Sequence, residues 1–158
     1  MSTGERVHLR GYQSGDIDPL FRLDELCFDP PFRFSRAALK RFAEARRARV
    51  LVAEAEGHGP VGFCIVHVEP SASGSTGYIV TLDVDPEWRR QGLARQLMLD
   101  SEATVRAEGC RAMLLHVHTG NETAIRFYEI SGYTRSHTAE AFYGPGLDAF
   151  VYRKQLQP

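Results

Sequence analysis

A chain of 158 residues that is 43% hydrophobic and 25% charged has the material for one globular domain with a substantial core, and a second domain is not expected. Nineteen Lys and Arg against twenty Asp and Glu leave a net charge of -1. That balance excludes the broad positive field that sequence-independent nucleic-acid binding requires.

Cys27, Cys64 and Cys110 are few, far apart and outside any C-x-x-C or clustered His pattern. They suggest neither a disulfide framework nor a metal site, and they read as small core hydrophobes in a reducing compartment. The amino end "MSTGERVHLRGY" has no apolar leader region, and no run of about eighteen apolar residues occurs. The chain therefore reads as a soluble, cytoplasmic protein with no membrane partner.

In chain order, residues 6–12 alternate weakly and predict a strand. "SGDIDPLFRLDELCF" follows with Ile17, Leu20, Phe21, Leu23 and Leu26 at helical spacing. Two prolines in "DPPFRF" break that pattern, and Ser35 is placed to cap a second helix, "RAALKRFAEARRA", with Leu39, Phe42 and Ala43 on one face. Arg46, Arg47 and Arg49 read as cations favoured at its carboxyl end. "RVLVAEAEG" and "VGFCIVHVE" around "GHGP" predict a hairpin, and "GYIVTLDVD" a third antiparallel strand beyond the flexible "SASGST". A long helix then runs to about Gly109 with Leu93, Leu97, Met98 and Val105 inward. "RAMLLHVH" is a strand, "NETAIRFYEIS" a short helix capped by Asn121 and stopped by Gly132, and "AFYGPGLDAFVYRK" a closing hairpin. The order β-α-α-β-β-β-α-β-α-β-β, with one parallel crossover at the long helix, predicts a mixed α/β (α+β) sheet. No repeat or linker divides residues 1–158.

"DPEWRRQGLARQL" lies between a strand and the long helix, and it carries the first chemical signal. A helix amino end presents unpaired N–H groups and a partial positive charge, so a tight turn leading into one cradles an anion. Gly92 and the small Ala94 keep side chains away from the backbone, and Arg89, Arg90 and Arg95 add charge. Neither a nucleotide P-loop nor a Rossmann fingerprint is present. Taken alone, the same arginines would also suit a solvated surface.

The wider context is more specific. "YIVTLDVDPEWRRQGLARQLM" followed by "LLHVHTGNETAIRFYEISGY" resembles the GCN5-related N-acetyltransferase (GNAT) superfamily across essentially the whole chain. Arg89, Arg90, Gln91, Gly92, Leu93 and Ala94 match the R/Q-x-x-G-x-G/A segment that binds the pyrophosphate of acetyl-coenzyme A. Asn121, Ala124, Phe127, Tyr128, Gly132 and Tyr133 match N-x-x-A-x-x-F-Y-x-x-x-G-[FY]. The resemblance implies a mostly antiparallel, splayed sheet with helices on both faces. It further implies that pantetheine lies along the freed edge Leu82, Asp83 and Val84, with Arg95 and Asn121 beside the cofactor. It places Tyr128 as the general acid at the thioester sulfur; a Tyr on that helix face would otherwise simply pack in the core.

In the strand 113–118, positions 114, 116 and 118 share one face, so His116 and His118 point together. "LHVHTGNETAIRFY" with "YIVTL" resembles the N-terminal acetyltransferase branch, in particular the NatE-type catalytic subunit. The resemblance there places Tyr78 and His116 around a shared water. Bacterial ribosomal-protein alanine acetyltransferases resemble it too, yet many carry Glu in place of His116.

Neutral imidazole accepts a proton near pH 7, whereas Tyr78 would need about three units of depression, roughly 4 kcal/mol, to be an anion there. His116 is therefore the expected base and Tyr78 its partner. Neutralising an α-amino group at pH 7 costs about 1.4 kcal/mol and a lysine about 4.6 kcal/mol, which suits a peptide N-terminus.

"CFDPPF" and "AFYGPG" correspond to the loops that flank the peptide in that branch, so Phe28, Pro30, Phe32 and Tyr143 are the expected acceptor slot. Phe28 and Phe32 would equally serve to close the core. Asp24, Glu25 and Glu140 would supply an acidic wall if the acceptor were instead an amino acid, polyamine or aminoglycoside. The remaining alternative is a catalytically silent acyl-CoA-binding module. The expected partners are acetyl-CoA and an amine acceptor, for a monomer or homodimer with no metal.

Overall fold

The computed structural model describes residues 6–72 and 74–157. The elements are β1 (Val7–Gly11), α1 (Ile17–Cys27), α2 (Arg36–Ala43), β2 (Ala48–Ala55), β3 (Gly59–Ser71) and β4 (Gly74–Val84). They continue with α3 (Leu93–Ala107), β5 (Cys110–His118), α4 (Glu122–Ile130), β6 (Thr134–Ala139) and β7 (Ala149–Gln155). This is the order expected from the sequence.

The strands form a seven-stranded sheet in the order β1-β2-β3-β4-β5-β7-β6, in which β4 and β5 pair in parallel and the other neighbours antiparallel. Helices cover both faces. On one, Leu93, Leu97, Met98 and Val105 of α3 pack with Met113 and Leu115 of β5 and Tyr128 of α4. On the other, Ile17, Leu20 and Leu23 of α1 and Leu39 of α2 pack on Val52, Phe63 and Ile65. A fully buried leucine such as Leu20 or Leu39 contributes roughly 1.5–3 kcal/mol, so two such faces fix the sheet between them.

Local details depart from expectation; β4 starts at Gly74, inside the segment expected to be flexible. Leu26, at the trailing edge of the α1 stripe, is exposed. The Ser35 cap forms, its Oγ accepting from Ala38 N at 3.1 Å, but α2 stops at Ala43. Arg46, Arg47 and Arg49 therefore lie beyond it. Arg47 pairs with Glu69, and Arg49 makes a two-pronged bond to Glu108 at 2.7 Å, so charges outside α2, not its dipole, place these two. The closing hairpin uses an earlier strand than expected: β6 is Thr134–Ala139, and residues 140–148 form the loop to β7.

The sheet divides where function is expected. The β3–β4 ladder slips between Ile65, opposite Thr81, and Val66, opposite Ile79, leaving Val80 as the bulged residue. A bulge bends its strand and increases the twist. The β4–β5 pairing ends at Ile79 and Leu115, while β5 continues along β7 to His118. Residues 80–84 of β4 are thus left with an edge unpaired to β5. Just below the divergence the strands are close. A Cβ on Gly77 would lie 2.8 Å from Met113 Sδ and 3.2 Å from Val105 Cγ2, so any larger residue there would push the Met113 side chain aside.

Candidate active site

The turn after β4 is held by its own residues. Asp85 Oδ1 accepts from Glu87 N at 2.9 Å, Pro86 starts a short 3₁₀ turn, and Trp88 is buried in the α3 core. Arg90 then has φ 66° and Gly92 φ 80°. Two left-handed residues so close together fold the chain tightly back ahead of the helix. Gly92 is the N-cap of α3, whose first turn holds no acidic residue and receives no side-chain cap. Its free amides therefore remain for an outside anion.

Leu93 is buried and Ala94 half-buried, so these two contribute backbone; Arg90, Gln91 and Arg95 are exposed around them. Arg89 turns back, its Nε donating to Val84 O at 3.1 Å. The Asn121 carboxamide is engaged as the cap of α4, its Oδ1 accepting from Ala124 N at 3.2 Å.

Along the free edge of β4, Leu82 is half-buried, and the Val84 carbonyl also accepts the Cys27 thiol at 3.3 Å. The Asp83 side chain points away from this edge, into the protein against Asp24 of α1. Asp24 was an expected acidic wall, but it is fully buried and so faces no acceptor. Asp24 Oδ2 accepts from Phe34 N at 2.9 Å, and Asp83 Oδ1 accepts from Thr81 Oγ1. The remaining oxygens, Asp24 Oδ1 and Asp83 Oδ2, reach no other donor. Burial raises both pKa values, that of Asp83 further because Asp24 adds its charge and its hydrogen bond. Two buried carboxyls whose pKa values are both raised, each with an oxygen left over, are set to share a proton.

At the point of divergence Tyr78 Oη lies 2.7 Å from His116 Nδ1. The two side chains touch directly, without the intervening water that the resemblance implied. The exposure of β5 alternates so that Leu114, His116 and His118 share the half-exposed face, as the alternation predicted. Burial, and secondarily the nearby His137, lowers the His116 pKa below the ordinary imidazole value, so the ring is neutral at pH 7. Burial likewise pushes the Tyr78 phenol well above its ordinary value, so it keeps its proton. Tyr128 is buried on α4, and burial, followed by the nearby Cys64 and Asp83, raises it further still.

The two acceptor loops meet above this pair. Phe32 lies 4.6 Å from the His118 ring and edge-on to Tyr143 at 5.1 Å. Pro30 is exposed at the start of its 3₁₀ turn, and Phe28 is half-buried. Two aromatic contacts were not anticipated: His118 itself, and Phe142, whose ring stacks on His116 at 3.8 Å with 6° between planes. The shared face of 114, 116 and 118 was the available signal for His118; for Phe142 only its adjacency to Tyr143 was.

Together the residues offer an anion-binding turn, an unpaired strand edge, a neutral imidazole joined to a protonated phenol and a second protonated phenol, under an aromatic roof. That set suits acyl transfer from a diphosphate-bearing carrier to an amine.

Comparison with known proteins places the chain in a family. Mycothiol acetyltransferase of Thermobispora bispora is 40% identical over 78 residues, 48% of this chain and 26% of that protein. N-alpha-acetyltransferase 30 of Schizosaccharomyces pombe is 36% identical over 76 residues, 48% of this chain and 51% of that protein. This chain thus spans about half or less of the length of these two curated relatives. Naa50 of Arabidopsis thaliana, solved with the bisubstrate analogue CoA-Ac-MVNAL, superposes with a TM-score of 0.79 at 25% identity, over 94% of this chain and 97% of that one. The sequence pattern of the acetyltransferase (GNAT) family matches residues 17–133, most of the chain, and the protein belongs to that family.

Proposed function

We propose that the protein is an acetyl-CoA-dependent N-acetyltransferase that transfers the acetyl group directly to a primary amine, the α-amino group of a peptide or protein N-terminus. The observation that carries this reading is the 2.7 Å contact of Tyr78 with His116 where β4 and β5 part. The turn at residues 89–94 takes the diphosphate on its backbone amides, with Arg90 and Arg95 at its rim. The β4 edge at Leu82, Asp83 and Val84 offers backbone groups to the pantetheine arm, and bound acetyl-CoA supplies the activated acyl group.

Tyr78 donates to His116 Nδ1. As the acceptor nitrogen attacks, its proton passes to Tyr78 Oη while the phenol proton passes to Nδ1, leaving an imidazolium and a neutral phenol. The transfer is concerted, because burial holds the Tyr78 anion too high in energy to form first. Tyr128 hydrogen-bonds the departing sulfur. Its raised pKa keeps that donor available throughout the neutral range, and it makes full proton transfer costlier than the roughly 2 kcal/mol separating ordinary phenol from thiol.

The α-amine is favoured over lysine because a modest base of this kind can neutralise it at about 3 kcal/mol less cost. Phe28, Pro30, Phe32 and Tyr143 flank the acceptor's entry. A second reading, acetylation of a small amine, is favoured by the mycothiol acetyltransferase likeness. Coenzyme A release measured over a panel of peptides and small amines tests the two. Turnover with free peptide N-termini that disappears on N-terminal blocking supports the first, and turnover confined to small amines supports the second.

A further inference from the structure

The loop between β6 and β7 is built to hold one aromatic ring in a fixed place. Ala141 has φ 51°; it and Arg90 are the non-glycine residues with positive φ among the described residues. Such strain persists only where the surroundings enforce it. Here Ala141 N donates to Asp148 Oδ1 at 2.8 Å, and Tyr143 N donates to Leu147 O at 3.0 Å. Gly144 N donates to Ala141 O at 3.1 Å, and Thr119 N of the segment after β5 donates to Asp148 O at 3.1 Å. The loop is thereby closed on itself and fastened beside β5.

Its product is the next residue. Phe142 remains 47% exposed, an unfavourable position for a phenyl ring, yet it lies parallel to the imidazole at 3.8 Å. Tyr143 stands edge-on behind it at 4.9 Å.

We propose that Phe142 is a positioning residue for the reaction: its ring clamps the His116 imidazole so that Nδ1 stays directed at Tyr78 Oη, and it screens that ring from water. The inference deepens the function proposed above and rests on His116 being the base. A χ2 rotation of an unclamped imidazole would carry Nδ1 away from Tyr78, and a phenyl covering one ring face prevents it. The same cover contributes to the burial that disfavours the imidazolium. The titratable groups around the ring are Tyr78 on β4, His118 on β5, His137 on β6 and Tyr143 on the loop.

The test compares wild type, Phe142→Ala, Phe142→Tyr and His116→Ala by kcat and KM across pH 5–9 with acetyl-CoA and a peptide acceptor. The His116 titration is followed separately by nitrogen NMR of the imidazoles. Phe142→Ala is expected to lower kcat roughly 10- to 100-fold, the scale of a misplaced catalytic group. It should also move the acid limb, and the His116 titration, up toward the ordinary imidazole value near 6.5. Phe142→Tyr, which keeps the stack, should restore both. An unchanged acid limb and NMR titration in Phe142→Ala, with the loss confined to acceptor KM, would overturn the proposal and make Phe142 a wall of the acceptor slot. His116→Ala with wild-type turnover would instead overturn the base assignment, a separate outcome.

Discussion

In the proposed mechanism Tyr78 and His116 act as one proton path, which makes a sharp prediction for their removal. Either Tyr78→Phe or His116→Ala alone interrupts it and should cost roughly 10²–10⁴ in kcat. The double variant should be scarcely worse than either single one, because groups working as a unit are non-additive. Steady-state rates of the three variants check this, and additive losses would mean separate roles. At Gly92 the φ of 80° is the constraint, since a Cβ there meets nothing within 4 Å. Gly92→Ala should therefore destabilise by roughly 1–2 kcal/mol and weaken coenzyme A binding, while leaving the Tyr78–His116 geometry alone. Thermal unfolding and calorimetry with coenzyme A measure the two effects. Some of this was readable before any coordinates: period-two alternation alone put His116 and His118 on one face. The left-handed backbone of Arg90 was not, because arginine gives no sign of it; nor was the Phe142 stack, which depends on a loop closed by Asp148.

Among the elements, the carboxyl pair of Asp24 and Asp83 joins α1, which leads into the loop carrying Phe32, to the unpaired edge of β4. The folded pKa of these acids is raised, so the folded state holds more protons than the unfolded one. The stability they contribute is full below about pH 4 and is lost as pH rises toward the raised folded values. Asp24→Asn offers Asp83 an amide N–H and removes one titration, so its stability should fall less steeply with pH. Asp24→Ala leaves Phe34 N and Asp83 without their partner and should cost roughly 1–3 kcal/mol. Chemical denaturation from pH 5 to 9 distinguishes them, and a wild-type slope retained in Asp24→Asn would refute the shared proton.

A second buried node is Glu102 of α3. It accepts from Tyr133 Oη at 2.7 Å and from Lys154 Nζ at 2.9 Å, which explains why an aromatic with a hydroxyl follows Gly132. Neither node was readable in the sequence, because each pairs residues more than thirty apart whose types alone suggest surface acids. The early stop of α2 was missed for a related reason. Its C-terminal arginines extend a helical pattern, but their partners Glu69 and Glu108 lie on other elements.

For the whole molecule, hydrophobic periodicity and turn residues were enough to give the element order and the single parallel crossover, since both follow from local pattern. The bulge at Val80 was not local. It arises where β3 and β4 lose register, and it parts β4 from β5 so that the turn at 89–94, the free edge and the Tyr78–His116 pair open on one gap. The central claim is that this gap delivers an acetyl group to an amino terminus. Its most direct measurement is mass spectrometry of a peptide carrying both a free α-amine and a lysine after incubation with acetyl-CoA and the protein. The account predicts one added acetyl group, on the α-amine, that vanishes with His116→Ala. Acetylation of the lysine alone, or of neither amine while small amines are consumed, would contradict it.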